Sequence, residues 1–215
     1  MLMDFNNTKK LLGKYKLPLV SSLLAKTKED AIKLSKKIGF PLILKIFSPD
    51  IIHKSDVGGV KIGIGDEEAL VQGYEEIIKN VKKKKPRAKI EGILLQKMEE
   101  GKEVIVGMKN DPQFGATIMF GLGGVFVEVL KDISFRIAPV DKKEALNMIK
   151  EIKSYKILEG VRGEKGVNIN DLVNIIIKTS DMVLKNKKII ELDFNPIIAD
   201  EKKAVVVDAR IIVEK

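Results

Sequence analysis

The sequence predicts an α+β fold of two lobes, residues 1–95 and 96–215, and three observations carry that expectation. Short apolar runs, the signature of strands, alternate with segments whose apolar residues recur at helical spacing. The strand-like runs crowd into the second half, so the two lobes differ in make-up. At 215 residues the chain is long for one domain and short for two, about 1.4 times a typical domain length. Folding would bury roughly 70% of the surface of such a chain, enough for a core without covalent staples. Hydrophobic residues make up 45% and charged residues 32%, a globular rather than a disordered balance.

The elements follow in order. Thr27 has the chemistry to cap a helix whose apolar face is Ala31, Leu34, Ser35 and Ile38. Gly39 stops that helix and Pro41 opens the next element. Leu42 to Ile46 reads as a buried strand, a polar loop runs from Ser48 to Gly59, and Val60 to Ile64 is a second strand. Asp66 caps a helix bearing Leu70, Tyr74, Ile77, Ile78 and Val81, followed by the lysine run Lys82 to Lys85, read as a solvated loop. Further strands are expected at Gly92–Met98, Glu103–Met108, Ala116–Phe120, Val125–Leu130 and Ser134–Pro139. Asp141 with Glu144 resembles a capping box, and a last helix starts at Asn170 or Asp171 and runs to Leu184. Lys188–Asp193 and Ala204–Ala209 close the chain as strands.

Composition excludes much chemistry. Cysteine is absent, which removes disulfides, thiol nucleophiles and thiolate-ligated metals. His53 is the single histidine, so a metal would have to be held by oxygen, as Mg²⁺ or Mn²⁺ is. No stretch reaches the roughly 18 apolar residues of a membrane span, and no basic-then-apolar leader opens the chain. We expect no membrane association and a cytoplasmic protein. The net charge of +9 and pI of about 9.4 raise nucleic acid as a partner. The charge is nearly all lysine scattered among glutamates, aromatics are 5% and tryptophan is absent, so stacking platforms are scarce. No nucleic-acid partner is expected. A GxxxxGK[ST] loop is missing, Gly121-Leu122-Gly123-Gly124 does not complete GxGxxG, and no GxSxG elbow occurs.

Three clusters remain. Lys45 ends a buried strand, where an ammonium calls for an anionic partner or an escape to solvent; a nucleotide phosphate would serve as that partner. Downstream, Gly58-Gly59 would let backbone N–H groups approach a phosphate, or would simply form a turn. Between them His53 carries the one imidazole, the side chain suited to proton exchange near neutral pH and a good phosphoryl acceptor. The second cluster is Glu191-Leu192-Asp193-Phe194-Asn195-Pro196 with Val207-Asp208-Ala209-Arg210. On one strand Asp193 and Asn195 face the same side, and antiparallel pairing would bring Asp208 beside them. Such an oxygen-rich set suits Mg²⁺ with phosphate, although polar residues at hairpin ends are common. Third, Arg136 within Ser134-Phe135-Arg136-Ile137-Ala138 should pair with a carboxylate or a phosphate, a structural carboxylate being the commoner partner.

In this order the clusters resemble the ATP-grasp β subunit of ADP-forming acyl-CoA synthetases (acetate–CoA ligase, ADP-forming), and more distantly the β subunit of succinyl-CoA synthetase. The resemblance rests on Gly39-Phe40-Pro41-Leu42-Ile43-Leu44-Lys45, on the run from Ser48 through His53 to Val60, on Met119 to Val129, on Phe135 to Pro139, and on the Glu191–Pro196 and Val207–Arg210 hairpin. The His53 phrase is the most specific. The resemblance implies an ATP-grasp fold with ATP or ADP clamped between two lobes. Lys45 and the loop through Gly58 and Gly59 would hold phosphates. Gln96, Lys97 and Met98 would form the hinge at adenine, and Glu103 would lie near the nucleotide. Arg136 would neutralise phosphate, and Asp193, Asn195 and Asp208 would bind Mg²⁺. His53 would carry the phosphoryl group. The implied reaction is acyl-CoA + ADP + phosphate ⇌ acid + CoA + ATP, shared with a separately encoded CoA-binding α subunit in an α2β2-type hetero-oligomer. A second reading is a non-catalytic ATP-grasp module that senses nucleotide for an acyltransferase system; intact Lys45, His53, Asn195 and Asp208 argue against it.

Overall fold

The computed structural model describes residues 1–51, 53–124 and 131–214. The strand expected at Val125–Leu130 lies outside the described residues. Helices are α1 (Phe5–Lys14), α2 (Lys28–Ile38), α3 (Glu67–Lys84), α4 (Lys142–Glu151), α5 (Tyr155–Glu159) and α6 (Ile169–Lys185). Strands are β1 (Ser22–Ala25), β2 (Leu42–Phe47), β3 (Val60–Ile64), β4 (Gly92–Lys97) and β5 (Lys102–Asp111), followed by β6 (Gly115–Leu122), β7 (Ile133–Ile137), β8 (Ile189–Ala199), β9 (Ala204–Val206) and β10 (Ala209–Val213). Among the described residues they form two compact units, Val20–Glu99 and Met1–Leu19 with Glu100–Lys215.

That division differs from 1–95 and 96–215 in the placement of the first nineteen residues and of residues 96–99. α1 turns Leu12 into the core of the second unit, where Leu17 joins it. Leu2 bridges to Ile212, and the Val206 N–H donates to the Pro18 carbonyl at 2.7 Å. The chain therefore starts in one unit, crosses to build the other, and returns.

Unit Val20–Glu99 carries an antiparallel sheet in the order β1-β4-β2-β3. Alternation sends Leu42, Leu44 and Ile46 of β2, with Ile93 and Leu95 of β4, into a core shared with α2 and α3. Both helices are capped as their sequences predict: Thr27 Oγ1 accepts the Asp30 N–H at 3.1 Å and Asp66 Oδ1 the Ala69 N–H at 2.8 Å. Gly39 ends α2 at φ +78°, a left-handed conformation that glycine adopts without strain. The lysines Lys82–Lys84, expected in a loop, form the last turn of α3, where cations complement the negative end of the helix dipole.

The larger unit has the order β10-β8-β5-β6-β7, with β9 pairing β8. Val104, Val106, Met108, Ile118, Phe120, Leu192 and Phe194 point to one side of this sheet and join a core completed by α4 and α6. Asp141 Oδ1 caps α4 through the Glu144 N–H at 2.8 Å, as expected. α6 starts a residue or two early, because Asn168 Oδ1 takes the Asp171 N–H at 3.1 Å. β8 runs on through Pro196, where a strand end was expected. The register against β5 slips there, since Val104 faces Ile197 but Val106 faces Phe194. Three β8 residues thus span two of β5, a bulge that accommodates proline and switches the buried positions from 192 and 194 to 197 and 199.

Candidate functional site

The predicted site residues fall into one set per unit. In Val20–Glu99, Lys45 is half-buried on the face of β2 turned away from α2 and α3. It pairs across to Leu94, and Gln96 pairs with Ile43. Lys45 and Gln96 are therefore diagonal neighbours on one face, close enough for a single ligand to span. Gln96 is 3% exposed. Lys97 faces the other way, and its Nζ donates to the Phe40 carbonyl at 2.6 Å, fastening the exit from α2. Met98 spends its N–H on the Pro41 carbonyl at 3.1 Å. Gln96 thus turns its side chain to the Lys45 face, and Lys97 does not.

The loop after β2 presents His53. Ile51 and Val57 are buried in the unit's core, while His53 between them is exposed. The Gly58 and Gly59 N–H groups, candidates for phosphate binding, donate instead to Ser55 and Lys54 carbonyls at 2.9 and 2.8 Å. Glycine is required here for packing. A Cβ on Gly59 would sit 2.5 Å from Ile46 Cγ2 and 2.9 Å from the Lys54 carbonyl, and Gly58 holds φ +67° against Asn80. The turn is what these glycines make.

In the larger unit Glu103, Gly107 and Asp193 share the sheet face opposite the helices. Asp193 lies between Gly107 of β5 and Arg210 of β10. The Met119 methyl lies over Gly107, 3.1 Å from where a Cβ would stand. Asp208 precedes β10, and its carbonyl accepts the Asn195 N–H at 3.1 Å, so the expected antiparallel hairpin brings the two residues together. Burial pushes the Asp193 carboxyl up; the Arg210 guanidinium opposes this, and the Asp208 and Glu191 carboxylates add to it. Among the described residues no three His, Cys, Asp or Glu side chains converge as a complete metal cage. The two carboxylates and the amide oxygen of Asp193, Asp208 and Asn195 are hard donors of the kind Mg²⁺ takes, and phosphate oxygens and water would have to complete its coordination. A cation would also relieve the carboxylate crowding at Asp193. Glu103 holds the glycine turn after β6, its carbonyl accepting the Gly123 N–H at 2.7 Å.

Arg136 departs from the role the resemblance implies. It lies on the helix side of β7, opposite Ile118, on the reverse face from Asp193. Its Nε and one terminal nitrogen donate to Glu144 and Glu151 at 2.7 Å each, and the other to the Phe135 carbonyl. Those partners hold the guanidinium above its ordinary pKa, the Glu144 hydrogen bond most of all. This is a structural ion pair tying β7 to α4, and phosphate binding is not assigned to it. Replacing Arg136 with Gln should cost about 1 kcal/mol of stability, because all three side chains are partly solvated. Nucleotide affinity should stay unchanged, which denaturant unfolding and calorimetric titration of the same variant would check. Arg210, which the β8–β10 register sets opposite Asp193, was not among the predicted site residues although it ends the Val207–Arg210 phrase.

A family profile described as the ATP-grasp domain matches residues 1–213. The chain belongs to that family. Within it the chain groups with β subunits of ADP-forming acetate–CoA ligases: it is 50% identical over 95% of its length to subunit beta of acetate–CoA ligase [ADP-forming] I from Pyrococcus furiosus, covering 88% of that protein. It is 48% identical over 88% of its length to acetate–CoA ligase [ADP-forming] I of Archaeoglobus fulgidus, of which it covers 28%. The dinucleotide-forming acetyl-coenzyme A synthetase 1 of Candidatus Korarchaeum cryptofilum, solved with coenzyme A and Ca-AMPCP, superposes with a TM-score of 0.93 at 47% identity, over 100% of this chain and 93% of that one. The same protein has been solved with coenzyme A and Mg-AMPPCP, its phosphohistidine segment pointing towards the nucleotide binding site, and matches with a TM-score of 0.87 at 42% identity over 99% of this chain and 93% of that one. No helix among the described residues is long and apolar enough to cross a membrane.

Proposed function

We propose that this chain is the nucleotide-binding subunit of an ADP-forming acyl-CoA synthetase, in which His53 passes a phosphoryl group to and from the nucleotide. The observation that carries the reading is His53, exposed at the tip of a loop whose two shoulders, Ile51 and Val57, are fixed in the core. A reactive imidazole is thereby offered to solvent on a defined mount.

Lys45 holds the nucleotide's phosphates as a point charge, Gln96 reads the adenine side, and Glu103 approaches the sugar. Asp193, Asn195 and Asp208 would hold Mg²⁺, which would supply neutralisation of phosphate charge. With ATP, a lone pair on the His53 ring attacks the γ-phosphorus. The bond to the bridging oxygen breaks as the P–N bond forms, ADP leaves, and the ring proton passes to solvent. In the reverse direction a β-phosphate oxygen of ADP attacks phosphohistidine, the P–N bond breaks, and the imidazole recovers a proton. Positioning and charge neutralisation do most of this work. A P–N bond keeps the high transfer potential that a serine ester would lose.

Acyl phosphate and CoA chemistry belongs to a separately encoded α subunit, and an α2β2-type hetero-oligomer in the cytoplasm follows from that assignment. The Archaeoglobus relative carries the matching stretch as 28% of a longer chain, which supports such a division of labour. The test is intact mass after Mg-ATP at alkaline pH. One acid-labile phosphoryl group is the expected gain. No gain, even with the co-purified α subunit, would overturn the relay and favour a nucleotide-sensing module.

A further inference from the structure

The His53 loop is fastened on one shoulder to the end of α3 and on the other to the segment that follows it. On the leading side, Asp50 Oδ2 accepts the Lys89 N–H at 2.7 Å. On the trailing side, the Lys84 ammonium donates to the Asp56 carbonyl at 2.7 Å. Beneath the turn, Asn80 of α3 fills the space that a side chain at Gly58 would need. Ile51 and Val57 share a hydrophobic cluster with Ile77 and Val81 of the same helix. The end of α3 and the segment after it are thus a bed on which the relay loop lies.

These contacts differ in kind. The apolar ones and the Gly59 turn are buried. The Lys84 bond is a single charged hydrogen bond in solvent, made by a flexible side chain from 28 residues away. Such a bond is strong enough to bias a loop and weak enough to release it. We propose that Lys84 is a positioning residue for phosphoryl transfer: by gripping the Asp56 carbonyl it sets how much of the time the His53 loop lies docked on α3. The assignment of a reaction to the loop rests on the relay reading above; the docking itself does not.

Two variants separate this from a simple structural role. Lys84→Met keeps the aliphatic stem and helix propensity but removes the donor, while Lys84→Arg restores a cationic donor. In hydrogen exchange of the purified chain, peptides spanning residues 50–59 should exchange about three- to tenfold faster in Lys84→Met. Peptides from the middle of α3 should stay unchanged, and Lys84→Arg should recover most of the protection. Phosphorylation of His53 by Mg-ATP should change at least about threefold in Lys84→Met with Mg-ATP affinity held within about twofold, and should recover in Lys84→Arg. Unaltered exchange at 50–59, loosening spread along the whole of α3, or absence of rescue by arginine would each overturn the proposal. A loosened loop with an unaltered phosphorylation rate would overturn it as well. Should wild type itself take no phosphoryl group with the α subunit present, the relay reading fails, and exchange alone decides whether Lys84 docks the loop.

Discussion

Replacing His53 with Asn should abolish phosphoryl transfer while leaving nucleotide binding nearly intact. The loss should be on the order of a thousandfold or more in turnover by the assembled enzyme, the scale seen when a covalent catalyst is removed. Asparagine keeps a polar side chain of similar size at an exposed position, so packing gives no reason for collateral damage. The loop is held by Ile51, Val57 and the Gly59 turn, none of which involves the imidazole. Since no other histidine exists in the chain, no neighbouring ring can take over within it. Mg-ATP affinity should remain within about twofold, because in the proposed site Lys45 and the Asp193 set hold the phosphates. Intact mass at alkaline pH reads the first quantity and calorimetric titration the second. A variant that still gained an acid-labile phosphoryl group would move the acceptor off His53.

The site was partly legible in sequence because its residues sit on short motifs. Lys45 and His53 lie eight positions apart and Asp193 and Asn195 two, and strand alternation assigns the faces of Lys45 and Asp193. Three roles were not legible. Arg136 announced that it needed an anion, but the anions are Glu144 and Glu151 on the helix that follows, and only the crossing of β7 by α4 reveals them. Lys97 looked like part of a strand-end cluster; its side chain turns to the helix face because β4 alternates about Ile93 and Leu95. Gly58 and Gly59 suited either a phosphate cradle or a turn, and the choice depended on Ile46 and Asn80 beneath them.

The fold shows the same division between local and non-local information. α2, α3 and α4 announced themselves through caps that take a backbone N–H three residues ahead. α1 carries the same kind of cap, Asp4 Oδ1 taking the Asn7 N–H at 2.9 Å, but its buried face is only Thr8 and Leu12, too narrow to show a helical period. α5 spans five residues, too few to show a helical period. The continuation of β8 past Pro196 needed the bulge against β5, a property of two strands rather than one.

That bulge leads to the largest expected stability effect. Phe194 is fully buried, and its cross-strand partners are Val106 of β5 and Ala209 of β10. Phe194→Ala should destabilise the protein by about 3–5 kcal/mol, through lost burial and the cavity left behind. A denaturant midpoint shift at constant slope would measure it. Function should suffer beyond stability. Phe194 lies between Asp193 and Asn195, and its ring is the anchor that seats that stretch of β8 in the core just before the register slips. Loosening it allows the flanking oxygens to drift relative to Asp208, and a displacement of about 1 Å at reacting groups can cost roughly a hundredfold in rate. Under conditions where the variant remains folded, its Mg²⁺ requirement for phosphorylation should therefore rise, whereas Arg136→Gln, which loosens the edge strand β7 with β5 and β6 between it and β8, should leave that requirement alone. Equal Mg²⁺ dependence in wild type and Phe194→Ala would show that Asp193 and Asn195 are not the metal-holding pair.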